Sequence, residues 1–334
     1  MNAIESQGLT VFQAPVQKEL EALERDLREA LDSDIPLLQE IASAITGAPG
    51  KRIRPNMVFL TSRCAGGQPD KASVAALAVE LIHTATLLHD DILDGHMTRR
   101  GRSTIFARWG ADSAMIMGDF LYSKAFAYLG EAGMDDAIGV LARVTNLMSV
   151  GELVQLQYRK DINIAEENYM EMIYRKTASL FAAAAECGAL TDHGTEHFRT
   201  AFADFGRSVG LAFQITDDLL DYLAADVQIG KPIASDFTEG RVTLPFISAY
   251  RNADDKVRER IGELFHSSFN DEELWNEVIS FITDNGGLEY SLGMSRELGE
   301  KAKAALDPVP PSLEKDALCF AADYIVQRIN RFTG

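Results

Sequence analysis

Long stretches of the 334-residue chain are rich in Ala, Leu, Ile and Glu, with neither strand-like alternation nor frequent Asn-Gly or Asp-Gly turns. That pattern restricts the chain to a mostly helical fold. It predicts helices over about 17–46, 71–94, 112–130, 134–160, 166–189, 196–224, 242–251, 271–284, 286–305 and 312–331. Interruptions fall at GAPGKRIRP (47–55), GGQPD (66–70), RRGRS (99–103) and IGKP (229–232), where glycine and proline favour turns. None has the composition of a flexible linker. Residues 17–334 are therefore expected to form a single all-helical domain behind an N-terminal arm of residues 1–16.

Composition narrows the class. With 46% hydrophobic and 25% charged residues, the chain belongs among globular proteins, and no run is expected to be long and apolar enough to cross a bilayer. The start, MNAIESQGLTVFQAPVQ, lacks the basic and apolar regions of a secretory signal, which makes a cytoplasmic location the expectation. Cys64, Cys187 and Cys319 fit no metal or disulfide spacing and are expected to be buried thiols. A net charge of −18 opposes broad attraction to nucleic acid or anionic lipid. An anionic ligand must then meet local cations or bound metal.

One segment, HDDILD (89–94), recurs in form as TDDLLD (216–221) with different flanks. Asp90 and Asp94 lie four apart, so a helix puts both carboxylates on one face, with Asp91 beside them. Asp217, Asp218 and Asp221 repeat the arrangement. Like charges at this spacing, near a helix C-terminus, destabilise the helix by about a few tenths of a kcal/mol. A hard divalent cation would offset that, since Mg²⁺ takes oxygen ligands and leaves positions for water and phosphate. A lone copy in an acidic protein reads equally well as a solvated face. Two copies, each behind an apolar run that should be buried, favour metal.

Arg99 and Arg100 follow the first cluster, and guanidinium forks match phosphate oxygens. A second basic group, GKRIRP, brings Lys51, Arg52 and Arg54 together. Each of these, like Lys176 in IYRKTASLF and Lys231 in IGKP, is more often a surface feature when it stands alone.

Taken together and in order, GKRIRP (50–55), HTATLLHDDILD (83–94), RRG (99–101), GD (118–119), RKTASL (175–180), FQITDDLLDY (213–222) and GKP…D…TLP (230–245) resemble the trans-type polyprenyl diphosphate synthases. The resemblance runs from about residue 45 onward and is strongest to the long-chain bacterial branch, typified by octaprenyl diphosphate synthase. It implies an all-α isoprenoid synthase fold, a single helical bundle around a central active-site cavity with the two acidic motifs facing across it. It also implies head-to-tail condensation of an allylic diphosphate, such as farnesyl diphosphate, with isopentenyl diphosphate, for quinone side chains.

By the same resemblance Asp90, Asp94 and Asp217 are the leading ligands of a cluster of three Mg²⁺, with Asp91, Asp218 and Asp221 nearby or acting through water. Arg99, Lys176 and Lys231 would hold the allylic diphosphate, and Thr177 and Gln214 would sit beside the reacting carbons. Lys51, Arg54, His83 and Arg100 would bind isopentenyl diphosphate. A homodimer is implied too, with transient membrane contact as a route for product release.

Ala85 and Thr86, five and four residues before Asp90, are small where short-chain relatives tend to carry an aromatic plug. They leave room for a growing chain, or merely let helices pack closely. The tunnel floor is sought among bulky residues near Leu141–Met148. Ile105, Phe106 and Gln155 depart from the family pattern and bear on product length rather than reaction type. Alternatives are a shorter-chain farnesyl or geranylgeranyl diphosphate synthase, a class I terpene cyclase, and a non-catalytic subunit of a heteromeric synthase. A full second DDxxD and GKRIRP argue against the last two.

Overall fold

The computed structural model describes residues 3–48, 50–191, 196–223, 237, 239–266 and 272–329. Its helices are α1 (Ala3–Gln13), α2 (Gln17–Ala30), α3 (Pro36–Thr46), α4 (Ile53–Ala65), α5 (Pro69–Leu93), α6 (Ile105–Glu131), α7 (Asp135–Gln157) and α8 (Glu166–Ile173). They continue as α9 (Ser179–Ala189), α10 (Glu196–Leu223), α11 (Leu244–Asn252), α12 (Asp255–His266), α13 (Glu272–Asp284), α14 (Gly287–Ala305) and α15 (Leu313–Gln327). The only strands among the described residues are the two-residue β1 (Thr98–Arg99) and β2 (Arg102–Ser103). The all-α expectation holds.

The boundaries needed correction. The expected helix over 17–46 is two: Leu20, Leu23, Leu27 and Ala30 give α2 one buried stripe, and the chain then breaks before Pro36. Proline forces its predecessor out of the helical region, and Ile35 is extended (φ −82°, ψ 113°). Helix α4 had no amphipathic period to find, because every residue from Pro55 to Ser62 is buried. Helix α12 did carry a start signal: the Asp254 carboxylate accepts hydrogen bonds from the backbone N–H of Lys256 and Val257, both at 3.0 Å. The first sixteen residues include α1, whose Phe12 is 2% exposed.

Two compact units emerge. The first comprises Met1–Thr145, Leu180–Ala203 and Asp307–Leu318; the second comprises Asn146–Ser179, Asp204–Leu306 and Cys319–Gly334. In the first, α5 is the central helix: Ala75, Ala76, Ala78, Val79, Ile82 and Ala85 have no exposed surface. Small side chains there let α4 and α6 pack closely along it. In the second, Tyr222, Phe237, Phe246, Phe265, Trp275 and Phe281 form a contiguous aromatic core.

Two sequence expectations are corrected here. Helices α5 and α7 are long and apolar enough to cross a membrane by length and composition, although 61% of the apolar window of α5 is buried inside the protein. In α7 that share is 33%, and Leu153 and Leu156 stand exposed. Only Cys187 among the three thiols is fully buried, and desolvation pushes its pKa up; Cys64 and Cys319 are half-buried.

Candidate active site

The first acidic motif closes α5. Asp94 is the C-cap, with its N–H donating to the Asp90 carbonyl at 2.9 Å, so Asp90 and Asp94 are stacked one turn apart and half-buried. Asp91, a hundred degrees round the helix, turns inward and is 4% exposed. Burial raises its pKa, opposed by Arg99, whose Nε donates to Asp91 Oδ1 at 2.8 Å. The pair with Asp91 runs through Nε, which leaves the two terminal nitrogens of Arg99 directed elsewhere, with the geometry that suits an oxyanion.

Arg99 is fixed by the β1–β2 hairpin, where it pairs with Arg102. The two turn residues, Arg100 (φ 51°) and Gly101 (φ 74°), both take the left-handed backbone that type I′ hairpins use. Arg100 thus stands exposed at the hairpin tip. The GD pair of the sequence also gains a reason. A Cβ on Gly118 would lie 2.2 Å from His89 Nε2, so the glycine makes room for the histidine preceding the acidic motif. His89 Nε2 meets the Met115 carbonyl at 3.2 Å, with Asp119 Oδ1 at 3.8 Å.

GKRIRP sits at the start of α4. Arg52, in the left-handed region (φ 47°), pairs with Glu24 of α2 at 2.6 Å and with buried Glu80 of α5. Those carboxylates hold its pKa above the ordinary range, and Arg52 serves as a tether for the loop rather than as a spare cation. The tether leaves Lys51 and Arg54 to other work. Gln13 Nε2 donates to the Lys51 carbonyl at 2.9 Å, and Arg54 lies over the Phe181 ring at 4.2 Å. Arg54 Nη1 meets His83 Nε2 at 3.1 Å. Desolvation, with Arg54, Arg100, Arg99 and Arg52 around it, holds His83 well below the usual imidazole range. A neutral His83 can accept from Arg54, so the structure groups Arg54, His83 and Arg100 in one electropositive region of the first unit, while Lys51 is placed by its backbone carbonyl.

The second unit carries the other motif on α10. Asp217 and Asp221 are half-buried, while Asp218 is 5% exposed and inward-facing, as Asp91 is. Its partners differ: Tyr169 OH donates to Oδ2 at 2.5 Å and Gln214 Nε2 to Oδ1 at 2.8 Å. Burial pushes the Asp218 pKa up to about 7, against the pull of those two donors and with Asp217 and Asp221 adding to the rise. Gln214 also accepts from Thr177 Oγ1 at 2.9 Å, which joins the motif to RKTASL.

That segment forms a π-helical turn, Tyr174–Ala178, a device common at functional sites that gives no period to read from sequence. Lys176 Nζ contacts Glu152 Oε1 at 2.7 Å and Gln155 Oε1 at 3.2 Å. A Cβ on Gly151 would lie 2.8 Å from the Lys176 N, so this glycine lets α7 approach the turn. Lys176, Thr177, Gln214 and Asp218 line one pocket with Gln155, Tyr169, Arg241 and Thr243.

Sequence reasoning found none of Tyr169, Glu152 or Arg328. Arg328 Nη1 pairs with Asp217 Oδ1 at 2.7 Å. No spacing rule links residues so far apart. Lys231 lies outside the described residues. Ala85 is fully buried, and the Thr86 hydroxyl donates to the His83 carbonyl at 2.7 Å. On α7, Leu141, Val144 and Met148 are buried at helical spacing.

Carboxylates paired on a helix face, a cationic fork and a lysine-threonine turn are each of a type that suits a hard cation or a phosphate oxygen. The Polyprenyl synthetase family model matches residues 35–282, and the chain belongs to that family. It is 37% identical over 300 residues to the octaprenyl diphosphate synthase of Escherichia coli, covering 90% of this chain and 93% of that one. It is also 37% identical over 319 residues to a short chain isoprenyl diphosphate synthase of Methanothermobacter thermautotrophicus (94% and 97% covered). Among solved structures, a polyprenyl synthase from Caulobacter crescentus complexed with calcium and isoprenyl diphosphate superposes with a TM-score of 0.89 at 34% identity, covering 96% and 98%. The fold is the all-α isoprenoid synthase fold, and the protein is a prenyltransferase of that class.

Proposed function

We propose that this chain extends an allylic diphosphate with successive isopentenyl diphosphate units to a long all-trans polyprenyl diphosphate, of octaprenyl or similar length, for quinone side chains. The supporting observation is the small pair in the turn below Asp90, where an aromatic would stop the chain: Thr86 is half-buried, while Ala85 is closed in by packing and bears on the chain only through its small size. Relatives of both short and long product length stand at equal identity, so identity alone does not select between them.

The donor set fits a hard cation: Asp90 with Asp94, and Asp217 with Asp221, each pair all-oxygen, half-buried and on one helix face. We assign these carboxylates to three Mg²⁺. Metal held there would supply the charge that offsets a departing diphosphate and so favours ionisation of the allylic C–O bond. Arg99, Lys176 and Lys231 grip the same diphosphate. Thr177 and Gln214, joined by their hydrogen bond, face the reacting carbons. Lys51, Arg54, His83 and Arg100 hold isopentenyl diphosphate. The two units act as one catalytic domain, residues 17–334, in a homodimer in the cytoplasm, with membrane contact only for product release.

The test is incubation with farnesyl diphosphate, labelled isopentenyl diphosphate and Mg²⁺, followed by chain-length separation. The expected product peaks near eight isoprene units, and Ala85→Tyr moves the peak to shorter chains. A product that stops at fifteen or twenty carbons, or an unmoved ladder in Ala85→Tyr, overturns the long-chain reading. A cyclic product identifies a terpene cyclase, and no product an inert subunit.

A further inference from the structure

We infer that Arg328, just beyond α15, is a positioning residue that fixes the Asp217 carboxylate for metal binding; this rests on reading Asp217 as a metal ligand. Three observations carry it. The guanidinium is 9% exposed and pairs through Nη1 with Asp217 Oδ1 at 2.7 Å. The same guanidinium lies 5.1 Å from the Phe213 ring centroid. Phe213 and Asp217 are four residues apart on α10, so one arginine covers a full turn of the helix that bears the second acidic motif.

The backbone of Arg328 continues α15, its backbone N–H donating to the Tyr324 carbonyl at 3.2 Å, which fixes where the side chain starts. From there the buried guanidinium reaches Phe213 and Asp217 together. The contact is an ion pair on Oδ1 rather than a hydrogen bond from Nη1, and Oδ2 is the oxygen a cation would take. Carboxylate ligands of metals are commonly oriented by such an outer partner, and loss of one typically weakens metal affinity about 10–100-fold. An arginine stays charged at any working pH, which makes the orientation constant. Phe213, part of FQITDDLLDY but without a role in the chemistry, becomes the plate on which the guanidinium rests.

The experiment is Mn²⁺ binding to the full chain, followed by calorimetry or by the free-Mn²⁺ resonance signal, with inorganic pyrophosphate as an unreactive diphosphate. Arg328→Gln is expected to weaken the tightest Mn²⁺ site about 10–100-fold. Arg328→Lys, which keeps the charge but not the fork, recovers part of the loss and stands in if the glutamine variant does not fold. In an Asp217→Asn background either substitution is expected to have no further effect. Unchanged or tighter Mn²⁺ binding in the Arg328 variants overturns the inference, as does an equal loss with and without Asp217. Should the wild-type chain itself bind no Mn²⁺ with pyrophosphate, the metal reading of Asp217 falls and the inference falls with it.

Discussion

HDDILD and TDDLLD look interchangeable as text, yet their surroundings differ. In each, the first and last aspartates share a half-buried face and the middle one points inward. Asp91 is met there by a cation, Arg99, whereas Asp218 is met by the neutral donors Tyr169 and Gln214. The first motif is balanced by charge from its own hairpin, eight residues away. The second is balanced by hydrogen bonds from α8 and from α10 itself, and by Arg328 on Asp217. A spaced carboxylate pattern thus fixes which carboxylates share a face, while the local partners decide how the buried charge is carried.

The largest effect should come from the outward carboxylates. Asp90→Ala or Asp217→Ala is expected to lower turnover by at least about 10²–10³-fold, the scale seen when one preorganised stabilising group is removed. Melting temperature should stay near the wild-type value for Asp90→Ala, whereas Asp217→Ala also removes the carboxylate beside the buried Arg328 guanidinium and should lower it. Steady-state assays beside thermal melts check this, and wild-type condensation in either variant would break the equivalence of the two motifs.

Next in size is Gly118→Ala. A Cβ 2.2 Å from His89 Nε2 must push the imidazole aside, at a cost of about 1–3 kcal/mol by urea unfolding. An unperturbed midpoint would mean that His89 relocates freely.

Arg99→Gln sharpens the contrast between charged and neutral balancing. It strips Asp91 of its cation, but Arg99 is 36% exposed and solvent screening limits the stability loss to about 1 kcal/mol. Its larger signature should be a raised KM for the allylic substrate. Asp91→Asn should leave KM much closer to wild type.

The last effect is read as a slope with pH rather than as a loss in one variant. The folded-state pKa of Asp218 is raised from 3.8 to about 7, so the folded protein holds this proton more tightly than the unfolded chain. The resulting stabilisation is complete below about pH 4, is lost as pH rises toward 7, and is flat above that. Unfolding of the metal-free protein across that window should show the decline, and Asp218→Asn should flatten it. An identical slope in both proteins would assign the titration elsewhere.

Much of this was legible in residues. Helical periodicity and the i, i+4 rule located the acidic faces, and GKRIRP and RKTASL marked the cationic elements before any coordinates. What could not be read has definite causes. Helix α4 is buried on all sides and has no period, and the π-helical turn at Lys176 has no propensity signature. Arg52 read only as one more cation of GKRIRP because its partners, Glu24 and Glu80, lie 28 residues away in either direction. Arg328 and Tyr169 complete the second motif through tertiary contacts alone.

The most direct measurement is the Mg²⁺ dependence of condensation itself, read as transfer of labelled isopentenyl units onto farnesyl diphosphate by the wild-type chain. Label should enter a longer prenyl diphosphate only when Mg²⁺ is present, and Asp90→Asn and Asp217→Asn should each suppress it. Transfer that persists in a chelator, or that survives loss of either aspartate, would contradict the account.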